Sequence, residues 1–196
     1  MDQSNSGKSP SIHPNAYVAP NAMIYGDVTI GAHCCIMFGA QIIAESSPVV
    51  IGDCCIVLEN AVIRGTQDNP VKIGDHCLVG PHAHLAGCTI ENEVFIATGA
   101  AVFHGAHLQK GSEVRINGVV HLKTLVPPNT TVPINWIAVG NPAQLFSPDQ
   151  HEEIWKVQQA LGFDQHVYGL PRNFKGSRMQ YITKAMWERL GVGDNG

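Results

Sequence analysis

The sequence predicts an all-β solenoid, a parallel β-helix built from six-residue repeats and followed by C-terminal α-helices. A branched aliphatic residue recurs at every sixth position over long stretches between Ile12 and Leu108. A small residue follows many of these aliphatics four places later, as Ala40 follows Ile36. A period of six fits neither an α-helix nor a β-meander, and it is typical of stacked coils with inward-pointing aliphatics and small corner residues.

Three hexads make one coil, and the coils are predicted to occupy residues 11–146. Two polar insertions that contain proline, 45–50 and 65–72, interrupt the repeat and are expected to form loops at corners of the prism. After Leu108 the repeat weakens through Lys110 to Thr124, and it resumes faintly near the end of the coils. Residues 1–10, MDQSNSGKSP, are polar and are predicted to form a disordered tail.

Residues 147–196 are predicted to form a helical arm with two helices. The first, over 148–161, would begin with Ser147 as its N-cap and Pro148 as its first residue, and would stop at Gly162. The second is predicted over 177–190, before Gly191, and the segment 163–176 between them is expected to be irregular and to pack on the prism or on a neighbour. The predicted apolar stripes consist of Ile154, Val157 and Leu161 in the first helix, and of Ile182, Ala185, Met186 and Leu190 in the second.

Composition argues against several classes of partner. The formal net charge is −4, and the 12 Lys and Arg residues are scattered, so no basic stripe for nucleic acid or an acidic membrane is present. No apolar stretch approaches the roughly 20 residues of a membrane span, and the N-terminus lacks an apolar signal core. Three of the six cysteines, Cys34, Cys55 and Cys77, occupy small-residue corners, which favours free buried thiols and a cytoplasmic location.

Several longer segments carry a family resemblance. The strings YGDVTIG, AGCTIENEVFIATGAAV and VGNPA, with the loop after Glu45 and the loop before VKIGD, resemble the γ-class carbonic anhydrases of the hexapeptide-repeat superfamily. The resemblance covers about residues 11–146. It implies that the β-helix is left-handed, that the protein is a homotrimer, and that family members hold zinc with three histidines at the boundary between subunits.

The three zinc-ligand positions do not carry histidine in this sequence. They hold Arg64, Pro81 and Ala86. Arginine has no available lone pair and stays protonated, and proline and alanine have no donor group in their side chains. We therefore expect neither a metal nor another cofactor at this position, and no ordinary carbonic anhydrase activity.

The phase of the repeat predicts a stacked column of Arg64, Ala86 and Phe103. Ala86 leaves space beside the fixed positive charge of Arg64, and a carboxylate from Glu59 or Glu45 could complete a pocket for a small carboxylate or carbonyl compound. Alternatively, one of these glutamates neutralises Arg64 in a structural salt bridge. The sequence leaves both interpretations open.

Three histidines lie near this position. His82 falls near a corner of the prism and is the candidate acid or base, reaching Arg64 across a subunit boundary. His84 and His104 are candidate binding residues. The alternatives are that all three are surface or interface residues, or that together they rebuild a zinc site.

The function predicted from the sequence is a metal-independent lyase- or transferase-type enzyme that acts by acid–base chemistry on a small substrate between subunits. The predicted catalytic residues are His82, Arg64 and Glu59. The predicted substrate-binding residues are Glu45, His84, His104, Ala86, Phe103, Arg115 and Asn117, the last two because polar groups inside an apolar stretch are expected to face a cleft. The alternatives are a non-catalytic trimeric scaffold whose helical arm binds a partner, and an acyltransferase.

Overall fold

The computed structural model describes residues 8–189 of the chain. Most of the predicted tail, residues 1–7, and the predicted end of the second helix at Leu190 and Gly191 lie outside the described residues. Residues 8–10 have no regular secondary structure. Among residues 8–189, no helix has the length and apolar character needed to cross a lipid bilayer.

Each coil contributes one short strand to each of three parallel sheets, here called A, B and C. Sheet A contains Ser11–Ile12, Val28–Ile30, Val49–Ile51, Val71–Ile73, Thr89–Ile90, His107–Leu108 and Leu125–Val126. Sheet B contains Tyr17–Val18, Cys35–Ile36, Ile56–Val57, Leu78–Val79, Phe95–Ile96, Glu113–Val114 and Thr131–Val132. Sheet C contains Met23–Tyr25, Gln41–Ala44, Val62–Gly65, His84–Ala86, Ala101–Val102, Val119–Val120, Ile137–Val139 and the antiparallel Gln144–Phe146.

The core consists of the repeat aliphatics stacked in register from coil to coil. Ile42 pairs with Ile63, and Leu85 pairs with Val102, so identical positions of successive coils lie above one another. These side chains are fully buried, because every inward position meets only other apolar groups. The predicted parallel β-solenoid is confirmed, and the left-handedness that the resemblance implies stays a prediction.

The predicted weakening of the repeat after Leu108 is wrong. The strands continue without interruption, and an inward valine opens each hexad in this stretch. The polar residues between these valines point outward or form turns, so they leave the inward column intact. The fully buried valines are Val114, Val120, Val126 and Val132.

The corners of the coils explain the small residues and the cysteines. Cys34, Cys55 and Cys77 are buried at successive levels of one corner, and all six cysteines of the chain are free thiols. Burial raises the pKa of Cys34 to about 11, so this thiol stays protonated at neutral pH. The cysteines therefore act as small core residues, as the sequence predicted.

The two insertions lie at the same corner, between sheets C and A. Ser46 and Ser47 of the first insertion each hydrogen-bond the backbone of Gln67 in the second, through Ser46 Oγ and Ser47 Oγ. Thr66 and Asn69 close the second insertion with a pair of backbone hydrogen bonds. The stacked insertions thicken this corner and form one wall beside the arm.

The arm differs from its prediction in two places. Helix α1 spans His151–Gln158 and continues as a 3₁₀ turn over Gln159–Leu161. It begins three residues later than predicted, because the Ser147 hydroxyl hydrogen-bonds the side chains of Asp149 and Gln150 and does not cap backbone N–H groups. Gly162 ends it in the left-handed conformation, as predicted.

The segment predicted to be irregular contains a helix. Helix α2 spans Phe163–Tyr168 and lies between Gly162 and Gly169, which both have positive φ. Two left-handed glycines so close together allow one short helix to turn away from its neighbours. Helix α3 spans Arg178–Arg189, and buried Ile154 of α1 and Ile182 of α3 carry the predicted apolar stripes.

Candidate functional site

The edge of sheet C that faces sheet A carries the predicted column. Arg64 and Ala86 are paired Cα positions in adjacent strands, and Phe103 follows Val102 at the next level. His121 follows Val120 one level further, in the same column. The repeat places these four side chains at one edge because each directly follows the inward aliphatic residue of its strand in sheet C.

Arg64 forms an ion pair with Glu45. Glu45 Oε2 accepts hydrogen bonds from Arg64 Nε at 2.8 Å and lies 2.6 Å from Arg64 Nη2. The Glu45 side chain is only 6% exposed, whereas the Arg64 side chain is 37% exposed. Of the two glutamates that the sequence offered as partners, Glu45 is the one that Arg64 contacts, because Glu45 directly follows the strand Gln41–Ala44, which pairs with the strand of Arg64.

A cavity of about 190 Å³ lies beside Arg64, between the coils and the arm. The coils contribute polar residues and the space left by the small side chain of Ala86. The arm contributes an apolar cover from α2 and α3. The lining residues are Arg64, Thr66, His84, Ala86, Phe103 and His104 from the coils, and Phe163, Val167, Tyr168 and Met186 from the arm.

An aromatic cluster fixes the arm on this edge. The Phe163 ring lies 5.8 Å from the ring of Phe103 in an edge-to-face arrangement, 5.8 Å from His121 and 6.0 Å from Tyr168, measured between centroids. Such aromatic pairs stabilise a contact by about 0.5–1.5 kcal/mol beyond the area they bury. Phe163 is therefore the main contact between α2 and the column.

Two histidines of the cavity have different surroundings. His104 is 9% exposed, and its Nε2 lies 2.9 Å from Thr66 Oγ1. His84 has more solvent-accessible surface than His104. Its pKa is nevertheless below the usual range, because the surrounding protein partly desolvates the ring and because Arg64 places a positive charge nearby. His84 is thus neutral at physiological pH, and it can accept a proton close to a cationic group.

The remaining catalytic candidates lie at the opposite edge of sheet C. His82 occupies a turn with φ of 57°, is exposed, and donates its backbone N–H to the carbonyl oxygen of Glu59 at 3.0 Å. Within one chain His82 and Glu59 are therefore neighbours of each other and not of Arg64. Their predicted approach to Arg64 requires a second subunit.

Arg115 and Asn117 do not line the cavity within one chain. Arg115 follows a strand of sheet B, pairs with Glu113 at 2.8 Å and lies over the ring of Phe95 at 6.0 Å. Asn117 is a turn residue with φ of 54° at the same corner as His82. Their polarity reflects a surface ion pair and a left-handed turn, for which asparagine is well suited.

The sequence missed Thr66, Phe163, Val167, Tyr168 and Met186 as cavity residues. For Phe163, Val167 and Tyr168 the available signal was the set of apolar residues in the segment predicted to be irregular, which indicated packing on the prism without giving the contact. For Met186 the signal was the predicted apolar stripe of the second helix. Thr66 carried no signal, because its insertion had no predicted geometry.

The residues at the implied zinc position do not fit a zinc ion. Arg64 and Ala86 supply no ligand, and Pro81 lies at the other edge of the sheet beside His82. Across residues 8–189, no three His, Cys, Asp or Glu side chains come close enough together to hold a metal ion. His82, His84 and His104 therefore form no rebuilt zinc site within one chain.

Comparison with known proteins agrees with the fold. The family model for the bacterial transferase hexapeptide (six repeats) matches residues 9–44. A solved hexapeptide transferase family protein from Anaplasma phagocytophilum superposes with a TM-score of 0.55 and is 24% identical, covering 93% of this chain and 94% of that one. At this identity the match shows a common fold alone.

Two curated relatives are carbonic anhydrases. Gamma carbonic anhydrase 1, mitochondrial, from Arabidopsis thaliana is 32% identical over 159 residues, which are 78% of this chain and 56% of that protein. The carbonic anhydrase of Geobacillus kaustophilus is 28% identical over 153 residues, covering 78% of this chain and 81% of the relative. The chain spans about half the length of the Arabidopsis relatives. The chain thus belongs to the hexapeptide-repeat proteins and, among them, is similar to the γ-class carbonic anhydrases.

Proposed function

We propose that the protein is a metal-independent, homotrimeric enzyme that acts on a small carboxylate- or carbonyl-bearing substrate by acid–base chemistry. The observation that carries this proposal is Arg64, half-exposed at the wall of a cavity and held in place by the buried Glu45. In this proposal, the guanidinium group of Arg64 stands where the related carbonic anhydrases are expected to carry a zinc-binding histidine. Its positive charge would bind the carboxylate of a substrate.

Arg64 has hydrogen-bond donors that its ion pair with Glu45 does not use. Its guanidinium group has five N–H donors, and the contacts with Glu45 Oε2 involve only Nε and Nη2. A carboxylate in the cavity would accept hydrogen bonds from the remaining donors, while Phe103 and Tyr168 would contact its apolar part. A volume of about 190 Å³ suits a substrate of only a few carbon atoms.

Two histidines are candidates to transfer the proton. His84 lies in the same cavity and is neutral at physiological pH. His82 would join it from the neighbouring subunit, with Glu59 beside it, if the trimer forms as the resemblance implies. In this scheme Arg64 binds the anionic group, and a histidine removes or delivers a proton at the adjacent carbon or oxygen.

Exposed apolar residues at the other edge of sheet C support the proposed trimer independently of the cavity. The edge of sheet C that faces sheet B carries Phe38, Ile116 and Ile134, which are 47%, 46% and 54% exposed, in one column of turn residues. Glu59, Pro81 and Thr98 occupy the levels between Phe38 and Ile116. Exposed apolar side chains at adjacent levels, here Ile116 and Ile134, are typical of a protein–protein contact. A second copy on this edge would bring His82 close to another chain.

The test is calorimetric titration of the full chain with small carboxylates, each matched against its amide. The wild-type protein should bind at least one carboxylate and not the amide. Arg64→Gln should weaken that binding about tenfold or more, because a charge-assisted hydrogen bond is lost. Arg115→Gln is the matched control, since Arg115 also pairs with a glutamate but lies outside the cavity. Stoichiometric zinc that survives chelation would contradict the metal-independent part of the proposal.

A second candidate function is a non-catalytic trimeric scaffold. The observation that favours it is the burial of Glu45, which makes the ion pair with Arg64 a structural contact in its own right. In that case no carboxylate binds the wild-type chain, and loss of stability is the whole effect of Arg64→Gln. The acyltransferase alternative has only the shared fold as support.

A further inference from the structure

The arm contains a second and larger cavity, which the proposed site does not use. It has a volume of about 520 Å³ and lies among α1, α2 and the segment that leads to α3. This volume falls in the range of small-molecule sites. Phe163 lines both cavities and forms the wall between them.

The lining of this cavity combines apolar surface with charged groups. Trp155, Phe163, Leu170 and Phe174 supply apolar and aromatic surface. Arg172 supplies a positive charge, and no acidic side chain in the described part of the chain forms an ion pair with it. The neighbouring Arg178, in contrast, is already paired with Asp164 at 2.7 Å. Arg172 is thus the cation of this cavity that remains available to a ligand.

His121 is an independent sign of a ligand. It lines the same cavity, is 7% exposed, and its Nδ1 is buried without a hydrogen-bond partner among residues 8–189. Buried polar atoms of folded proteins nearly always have a partner. A polar group of a bound molecule, or a water that it retains, would satisfy this nitrogen.

We propose that the arm cavity binds a planar aromatic anion, whose rings pack against Phe163 and Phe174 and whose acidic group pairs with Arg172. Aromatic rings are favoured because three aromatic side chains line the cavity and can contact a flat molecule on its faces or edges. An anion is favoured over a cation because the free charge of the lining is positive. The inference does not depend on the function proposed for the Arg64 cavity.

The experiment is a fluorescence titration of the full chain with 8-anilino-1-naphthalenesulfonate and with its uncharged analogue N-phenyl-1-naphthylamine. We expect saturable binding of one sulfonate per chain. Arg172→Gln should weaken the sulfonate about tenfold and leave the uncharged probe unchanged, because only the sulfonate uses the guanidinium group. Lys175→Gln removes a nearby exposed charge that does not line the cavity, and it should change neither probe.

Two further variants locate the probe. Leu170→Trp should place a bulky indole in the cavity and weaken binding of both probes, with circular dichroism to check that the chain is folded. Arg64→Gln should leave both affinities unchanged, because Arg64 lines the other cavity. The inference is overturned if the sulfonate does not saturate, if Arg172→Gln binds it like the wild type, or if Lys175→Gln reproduces the loss. It is also overturned if a folded Leu170→Trp protein binds both probes as tightly as the wild type.

Discussion

The two edges of sheet C are built by the same repeat, yet the arm covers the edge toward sheet A and encloses a cavity there. At the edge toward sheet A, the arm packs Phe163 onto Phe103 and covers Arg64 and Ala86. At the edge toward sheet B, Ile116 and Ile134 lie in two-residue turns and remain about half exposed. The repeat thus supplies columns of side chains at both edges, and the cover that lies over a column decides whether a site exists.

The difference has a local cause. The covered edge has two stacked insertions that widen it, and its outward column contains the aromatic Phe103 and the aromatic ring of His121. The bare edge turns tightly at every level, with left-handed residues such as Asn60, His82 and Asn117. A tight edge with exposed apolar residues is suited to a flat contact with another copy of the chain.

The largest expected effect is on assembly through the bare edge. The double variant Ile116→Asp, Ile134→Asp should convert the trimer into single chains, because two charges per subunit would be buried without partners. Light scattering should then change from about three times 21.1 kDa to 21.1 kDa. Val50→Asp on sheet A, where Val50 is 40% exposed, should leave the trimer intact. A wild-type mass of one chain at micromolar concentration would remove the basis for a shared site.

The next effect concerns the cover over the other edge. Phe163→Ala should lower the free energy of unfolding by about 2–3 kcal/mol and release α2, because the half-buried ring contacts Phe103, His121 and Tyr168. Hydrogen exchange should increase at residues 103–106, which lie under the arm. Phe174→Ala is the control: its ring packs on Tyr181 at 4.9 Å within the arm, and protection of residues 103–106 should be unchanged. Equal exchange in both variants would show that Phe163 does not hold the arm.

A smaller effect separates the two Arg–Glu pairs. Arg64→Met should lower the free energy of unfolding by about 2 kcal/mol, because it removes the cation beside the buried Glu45. Arg115→Met should cost less than about 1 kcal/mol, since Arg115 and Glu113 are both well exposed. Urea denaturation of the two variants gives the comparison. Equal losses would mean that the covered edge does not shield its ion pair from solvent.

The smallest effect is a dependence of stability on pH. Burial lowers the pKa of His84, His121 and His166, with additional contributions from the Arg64 charge at His84 and the Lys123 charge at His166. Above the unfolded value of about 6.5, both states are neutral and these groups contribute nothing. As pH falls below it, the unfolded chain binds protons that the folded chain does not, so stability decreases.

Chemical denaturation at pH 7.5 and pH 5.5 measures this decrease. His121→Phe should reduce the difference between the two pH values, because one buried histidine no longer titrates in the unfolded state. His13→Gln, which changes an exposed histidine at the opposite end of the stack, should keep the wild-type difference. A His121→Phe protein with the full wild-type decrease would assign the pH dependence to other groups.

Parts of the site could be predicted from the repeat alone. The column of Arg64, Ala86 and Phe103 follows from the period of six, since each coil repeats the position of the one below. The separation of His82 from Arg64 within one chain is compatible with the expectation that these two residues approach each other across a subunit boundary. Their meeting stays a prediction, as does the trimer.

Other parts could not be derived from sequence. The choice of Glu45 over Glu59 as the partner of Arg64 depends on the path of an insertion that has no repeat to define it. The short helix α2 was missed because its six residues are too few for a clear periodic pattern. The later start of α1 depends on side-chain hydrogen bonds of Ser147 that compete with capping.

By itself, the sequence determined the coil stack, its inward aliphatics and its thiol-filled corner, because each depends on spacing within a few neighbouring hexads. Only the tertiary structure decided where the arm lies, which glutamate Arg64 contacts, and that Phe163 separates the cavity beside Arg64 from the cavity within the arm. These features join residues far apart in the chain, such as Phe103 and Phe163. They depend on how surfaces of different elements pack together, and no local pattern of residues encodes that fit.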